Sequence, residues 1–176
     1  MLIFVYGGTA SGKSAYAESL AASLAQPAPL IYLATMDASD PESLRRIARH
    51  RQQRAFAPFR TVEQPRGIGQ ADFPQGAVVL VECLSTLTAN ELFSPGADPQ
   101  TAATAVLKGL SRLCARAAHT VVVSSDVFRD GGTYPPATRQ YIRLLGHLHQ
   151  TLAQRADHVV EIVASIPLPV KGGLPL

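Results

Sequence analysis

Two stretches of this chain carry residues whose types and spacing suit phosphate chemistry. The first is GGTASGKS, Gly7 to Ser14, which meets the pattern G-x-x-x-x-G-K-[ST] at every fixed position. At average residue frequencies, a chance match in a chain of this size has a probability of roughly one in a hundred or less. Such a loop turns the backbone N–H groups of Gly7, Gly8, Thr9, Ala10, Ser11 and Gly12 around a phosphate at the positive end of a helix dipole. Lys13 would neutralise the β- and γ-phosphate oxygens, and the Ser14 hydroxyl would complete a Mg²⁺ shell. A nucleotide-phosphate site is the expectation.

The second stretch is RRIARHRQQR, residues 45 to 54, with five arginines and one histidine in ten positions. On a helix, Arg46, His50 and Arg54 share one face, while Leu44, Ile47 and Ala48 form another. Like charges four residues apart cost a few tenths of a kcal/mol each, which an anion held between them would offset. The same repulsion keeps His50 neutral, with a free ring lone pair near pH 7. A neutral imidazole between phosphate-clamping arginines suits attack on a nucleotide α-phosphate. Spacing alone leaves the plain alternative open, that this is the solvated face of a surface helix.

These residues need elements to position them. LIFVY at the N-terminus is a buried strand that stops at Gly7-Gly8. From Gly12 to the residue before Pro27 the chain reads as a helix, so the loop lies between a strand and a helix start. LIYLA (30–34) is a second strand, and Asp40-Pro41-Glu42 supplies an N-cap, an N1 proline and a first-turn acid for a helix through the basic stretch. AVVLVECL (77–84) is the most apolar strand, placing Glu82 near its C-terminal end as a candidate Mg²⁺ carboxylate. A helix follows over about 100–118, then a strand at 119–125, a loop at 130–136, a helix from Ala137 to Ala156, and one or two closing strands. Alternation of this kind predicts a single three-layer α/β domain over residues 1–176 with a largely parallel central sheet.

Composition narrows the function classes. The chain has 176 residues, 47% of them hydrophobic and 16% charged, enough for a substantial core. A net charge of +3 with clustered basic residues argues against a general nucleic-acid binder. Cys83 and Cys114 suggest no metal spacing or disulfide framework and read as reduced core thiols. His119, His147, His149 and His158 share no metal-ligand spacing. The N-terminal apolar run is too short for a signal peptide or membrane span, so a cytoplasmic protein is expected.

The order GGTASGKS … YLAT … RRIARHRQQRA … RTVEQP … VLVECLSTLTAN resembles the bifunctional adenosylcobinamide kinase / adenosylcobinamide-phosphate guanylyltransferase family of cobalamin synthesis. The resemblance implies a RecA-like P-loop NTPase fold. It also implies phosphorylation of adenosylcobinamide by a nucleoside triphosphate (ATP or GTP), then GMP transfer from GTP through a guanylylated histidine. The family's H-R-x-x-R motif places that histidine at His50, with Arg51, Gln52, Gln53 and Arg54 beside the nucleotide. LAT carries the nucleotide contact to Ala34 and Thr35, with Met36 beside them. TVE and VE give nucleotide-binding acids at Glu63 and Glu82. A homo-oligomer, typically a trimer, is implied as well.

The likeness is dense to about Asn90 and thins beyond residue 120. Ser125, Asp126 and Phe128 stand where the family usually has Asn, Glu and Gly, and Ile142-Arg143 stand for its Arg-Asp. His149-Gln150 replace Asn-Gln, and Phe59 lies near the position of a usual tryptophan. The altered segment is expected to shape the acceptor side. Two rivals remain at this stage. A P-loop kinase of another small alcohol leaves the arginine stripe without a task, and a catalytically silent GTP-binding relative leaves His50 without one.

Overall fold

A computed structural model describes residues 1–37, 58–129 and 131–175. Seven strands form one sheet: β1 Leu2–Gly7, β2 Leu30–Ala34, β3 Arg60–Glu63, β4 Val78–Glu82, β5 His119–Ser125, β6 His158–Val163 and β7 Ile166–Lys171. Their order across the sheet is β3-β2-β4-β5-β1-β6-β7. All neighbours run parallel except β7, which returns antiparallel on β6. Four α-helices are described, α1 Lys13–Leu24, α2 Leu84–Leu92, α3 Pro99–Arg116 and α4 Pro136–Arg155, with one 3-10 turn at Ile68–Gln70. This is the expected three-layer α/β arrangement with a largely parallel sheet.

Strand alternation decides the layers. Ile3 and Val5 of β1, Leu30 and Tyr32 of β2, Val78 and Leu80 of β4, and Val121 and Val123 of β5 face α1, where Ala17, Leu20 and Ala21 cover them. Their neighbours Phe4, Ile31, Leu33, Val79, Val81 and Val122 face the opposite way, under α2, α3 and α4. Strands buried on both faces carry no polar alternation, which is why β1, β2 and β4 read as continuous apolar runs. Each such Val, Ile or Leu contributes roughly 1.5–3 kcal/mol by leaving water.

The strands at 30–34 and 119–125 match their predicted bounds, and the closing segment forms two strands. One boundary is corrected. The strand read over residues 77–84 ends at Glu82, and α2 begins at Leu84 with Cys83 as its N-cap. No glycine or proline marks that change, so the apolar run continues across it in sequence. The polar strand β3 also lacked a hydrophobic signal, because it is the sheet's edge and is mostly exposed. The helix expected from Asp40 through the arginine stripe falls outside the described residues.

α3 begins with a capping box. Thr101 N–H donates to Asp98 Oδ1 at 2.8 Å, and Asp98 N–H donates to Thr101 Oγ1 at 3.0 Å. Parallel strands with helices returning between them bring the strand C-termini to one edge, the place where ligands collect in such sheets.

Candidate functional site

At that edge β1 runs straight into the phosphate loop. Gly7 is the last residue of the strand, and a Cβ there would lie 2.5 Å from Ile162 O and 2.7 Å from Ser11 Oγ, so only glycine fits. Ala10 and Gly12 have φ of 57° and 91°, the left-handed geometry that curls the loop. Gly12 is the N-cap of α1 and offers no side-chain cap, and no acid lies in the first turn. The amides of that first turn therefore suit an anion. Ser11 Oγ is a buried hydroxyl with no hydrogen-bond partner among the described residues.

Lys13 Nζ lies across the loop and donates to Gly8 O at 3.1 Å. Ser14 Oγ donates to Glu82 Oε1 at 2.9 Å. That contact joins residues 68 apart in sequence and depends on β4 lying two strands from β1. A hydroxyl and a carboxylate are hard oxygen donors of the kind Mg²⁺ takes beside nucleotide phosphates, so the pair fits that ion. Thr9, Ala10, Ser11, Gly12, Lys13, Ser14, Met36 and Glu82 line one cavity of about 710 Å³.

The family description "Cobinamide kinase / cobinamide phosphate guanyltransferase" matches residues 3–170 of the sequence that builds this edge. The chain belongs to that family. Family members are transferases, kinase and nucleotidyltransferase in one. Among relatives, the chain is 35% identical to the bifunctional adenosylcobalamin biosynthesis protein CobP of Pseudomonas aeruginosa, over 96% of each chain. It is 33% identical to the bifunctional adenosylcobalamin biosynthesis protein CobU of Escherichia coli, over 97% of this chain and all of that one. Among solved structures, the flagellar accessory protein FlaH from Methanocaldococcus jannaschii superposes with TM-score 0.51 at 11% identity. That match covers 97% of this chain and 77% of FlaH, and bears on the fold alone.

The residues expected from the sequence, by motif, spacing or resemblance, fall into three sets. Thr9 to Ser14, Met36 and Glu82 converge on the cavity, and Gly7 and Gly8 lead the chain into it. Ala34 closes β2, in register with Glu63 on one side and Glu82 on the other. Thr35 is buried, and its side chain is committed to structure: Oγ1 accepts from Cys83 N–H at 2.7 Å and donates to Cys83 O at 2.9 Å. Glu63 lies on β3, two strands from Glu82 or roughly 10 Å across the sheet, and does not line the cavity. His50, Arg46, Arg51, Gln52, Gln53 and Arg54 lie outside the described residues.

A second wall of the cavity is made by Cys83, Ser85, Thr86, Val127 and Tyr141, which sequence reasoning missed, and by Ser125 of the altered segment. Cys83 Sγ lies 2.9 Å from Ser85 Oγ and 3.2 Å from Thr86 Oγ1. Tyr141, on α4, donates to Ser85 O at 3.1 Å. Burial pushes its phenol up to about 12, with the Cys83 thiol adding to the effect, so it stays a donor at neutral pH. Behind β5, His149 Nε2 and Ser124 Oγ are 2.7 Å apart, and burial lowers the imidazole to about 4 against an opposing pull from Asp126. Asp126 itself is tied to Arg129 at 2.7 Å, and Arg129 reaches Glu161 at 2.5 Å. Among the described residues no group of three or more His, Cys, Asp or Glu forms a metal cluster, and no helix is long and apolar enough to cross a membrane.

Proposed function

We propose that this chain phosphorylates the aminopropanol hydroxyl of adenosylcobinamide and then joins GMP to that phosphate, giving adenosylcobinamide-GDP. The 2.9 Å contact between Ser14 and Glu82 at the mouth of the phosphate loop carries the reading, in a chain that belongs to a kinase and guanylyltransferase family. Phosphoryl transfer asks the protein mainly for positioning and charge neutralisation. The first-turn amides of α1 hold the phosphates and the Lys13 ammonium neutralises their oxygens. Ser14 and Glu82 would hold Mg²⁺, which supplies further charge neutralisation when bound. The acceptor oxygen bonds to the γ-phosphorus as the bond to the β–γ bridging oxygen breaks. A nucleoside diphosphate leaves, and the hydroxyl proton is lost.

In the second half-reaction a His50 ring nitrogen bonds to the α-phosphorus of GTP and pyrophosphate departs with the bonding pair. A phosphate oxygen of the phosphorylated acceptor then takes the GMP, which restores His50. Arg46 and Arg54 clamp the triphosphate. Arg51, Gln52, Gln53, Ala34, Met36 and Glu63 complete the nucleotide contacts, while Thr35 supports them by holding the chain after β2 against Cys83. The separation of Glu63 from Glu82 favours two nucleotide positions on one sheet edge, one on the loop and one toward β3.

We place this chemistry in one domain over residues 1–176, in the cytoplasm, in a homo-oligomer of three subunits. Val163, Ile166, Leu168 and Val170 support assembly, since all four are at least 43% exposed on a single β6–β7 ribbon. Light scattering on a sizing column reads the subunit number. The deciding experiment is intact-protein mass spectrometry after incubation with GTP and Mg²⁺. An acid-labile gain of one GMP, absent from His50→Ala, is expected. Nucleotide binding without an adduct would reduce the reading to a plain kinase.

A further inference from the structure

We propose that the corrinoid acceptor lays its macrocycle over Phe128, in the cleft between the loop after β5 and the first turns of α4, with Arg143 donating to one of its carboxamide arms. This placement rests on the acceptor reading above and gives it a surface. The aminopropanol hydroxyl has to meet a phosphate in the cavity of about 710 Å³ beside the loop. A corrinoid ring is far broader than its aminopropanol arm, so the ring stays outside while the arm reaches in. Val127 marks the way out. It lines the loop cavity and also a second cleft of about 240 Å³, whose walls include Phe128, Tyr134 and Arg143. Arg139 and Arg143 are shared in turn with a third cleft of about 760 Å³, between the start of α3 and the first turns of α4. Adjoining clefts thus lead away from the phosphate loop along α4.

An exposed apolar ring by itself needs no explanation. Phe128 differs in its place and in how firmly it is held. It is 40% exposed, next in the chain to the residue that the first two cavities share. Its ring packs edge-on with His149, 5.2 Å between centroids, and lies 3.6 Å from where a Cβ on Gly146 would be. Phe128 N–H donates to Asp126 Oδ1 at 3.1 Å, and Arg129 pairs with both Asp126 and Glu161 of β6. A platform fixed before binding loses little freedom on contact. An aromatic ring offers a flat macrocycle a large apolar contact area.

Charge suits the same occupant. Among the described residues no acid lines the second or third cleft, and Arg139, Arg143 and His147 follow at four-residue steps along α4. Arg139 Nη1 donates to Tyr134 O at 3.1 Å. Arg143 is exposed and enters no hydrogen bond or ion pair among the described residues. A guanidinium has donors only, and a carboxamide carbonyl is an acceptor for them. Phe128 and Arg143 both stand in the segment where this chain departs from the family pattern, so these contacts are its own.

The test measures GDP release from GTP by the full chain with Mg²⁺ and adenosylcobinamide, each substrate varied in turn. Phe128→Ala is expected to raise the acceptor's KM roughly ten-fold and to leave that of GTP within about two-fold. Phe128→Leu fills the space against α4 without a ring and should show the same split, which guards against collapse of the loop in the alanine variant. Phe128→Tyr keeps the ring and should keep the parent's KM. Arg143→Ala is expected to raise the acceptor's KM several-fold. An unchanged acceptor KM in both Phe128→Ala and Phe128→Leu would overturn the proposal. So would an equal rise for both substrates, the mark of a structural role. A changed subunit number with neither KM moved would also overturn it, giving the cleft to assembly. A parent protein that binds GDP yet phosphorylates no corrinoid would overturn the acceptor reading, and this docking with it, before any variant is compared.

Discussion

The amide of Ser165 donates to the carbonyl of Ser11 across 2.8 Å, so the turn between β6 and β7 is stitched to the phosphate loop. Ser165 itself has φ of 66°, and its Oγ lies 2.5 Å from where a Cβ on Gly12 would be. A Gly12→Ala change therefore meets both a left-handed backbone and a steric clash. We expect it to lower stability by roughly 1–3 kcal/mol in urea unfolding and to weaken nucleotide binding at least ten-fold. Adding Ser165→Gly removes the clash but leaves the backbone strain, so the double variant should recover only in part. Full recovery would mean that contact alone, and not the left-handed turn, limits this position.

Glu82 and Ser14 separate fold from chemistry in a second experiment. Glu82→Gln keeps an oxygen that can accept from Ser14 but loses the charge that suits Mg²⁺. Kinase turnover at saturating nucleotide should fall by about 10²-fold or more, while Tm shifts by only a few degrees. A variant whose turnover matches the parent would remove Glu82 from the metal site.

His149 makes the fold sensitive to acid. Burial lowers its imidazole to about 4, from an ordinary value of 6.5. Above about pH 6.5 the ring is neutral in both folded and unfolded chains. As pH falls toward 4, the unfolded chain binds a proton that the folded ring refuses, so stability drops through that window and then levels. The full loss is roughly 3 kcal/mol. His149→Asn keeps an amide to bond Ser124 and should flatten the dependence between pH 6.5 and 4.5 in urea unfolding. Identical slopes for the two proteins would assign the acid sensitivity to other groups.

The loop and its supporting strand were legible because the chemistry is local: eight consecutive residues follow an apolar run, and the helix behind them begins at once. Glu82 was also legible, from its place near the end of the most apolar run. Tyr141 was not, because it reaches the cavity only when α4 folds back over α2, and Ser125 was legible only as a departure from the family pattern, because its place in the cavity depends on β5 inserting between β4 and β1. Nothing near either residue in the sequence signals that neighbour. The hydrogen bonds that tie the buried Thr35 hydroxyl to the backbone of Cys83 were equally illegible, since the two residues are far apart in sequence. The edge position of β3 likewise hid a strand whose residues need not be apolar.

The two thiols give a readout of occupancy that needs no turnover. Cys83 lines the cavity beside the phosphate loop, with its sulfur among the hydroxyls of Ser85 and Thr86. Cys114 lies on α3, away from the loop, and burial raises its thiol above the ordinary value, which lowers its thiolate fraction. Alkylation by a maleimide, followed by peptide mass spectrometry, should therefore mark Cys83 first. Saturating GDP or GTP with Mg²⁺ should slow Cys83 at least several-fold and leave the slower Cys114 unchanged. Slowing of both thiols together would indicate global stabilisation by the nucleotide, because a ligand confined to the phosphate loop shields only the thiol beside it.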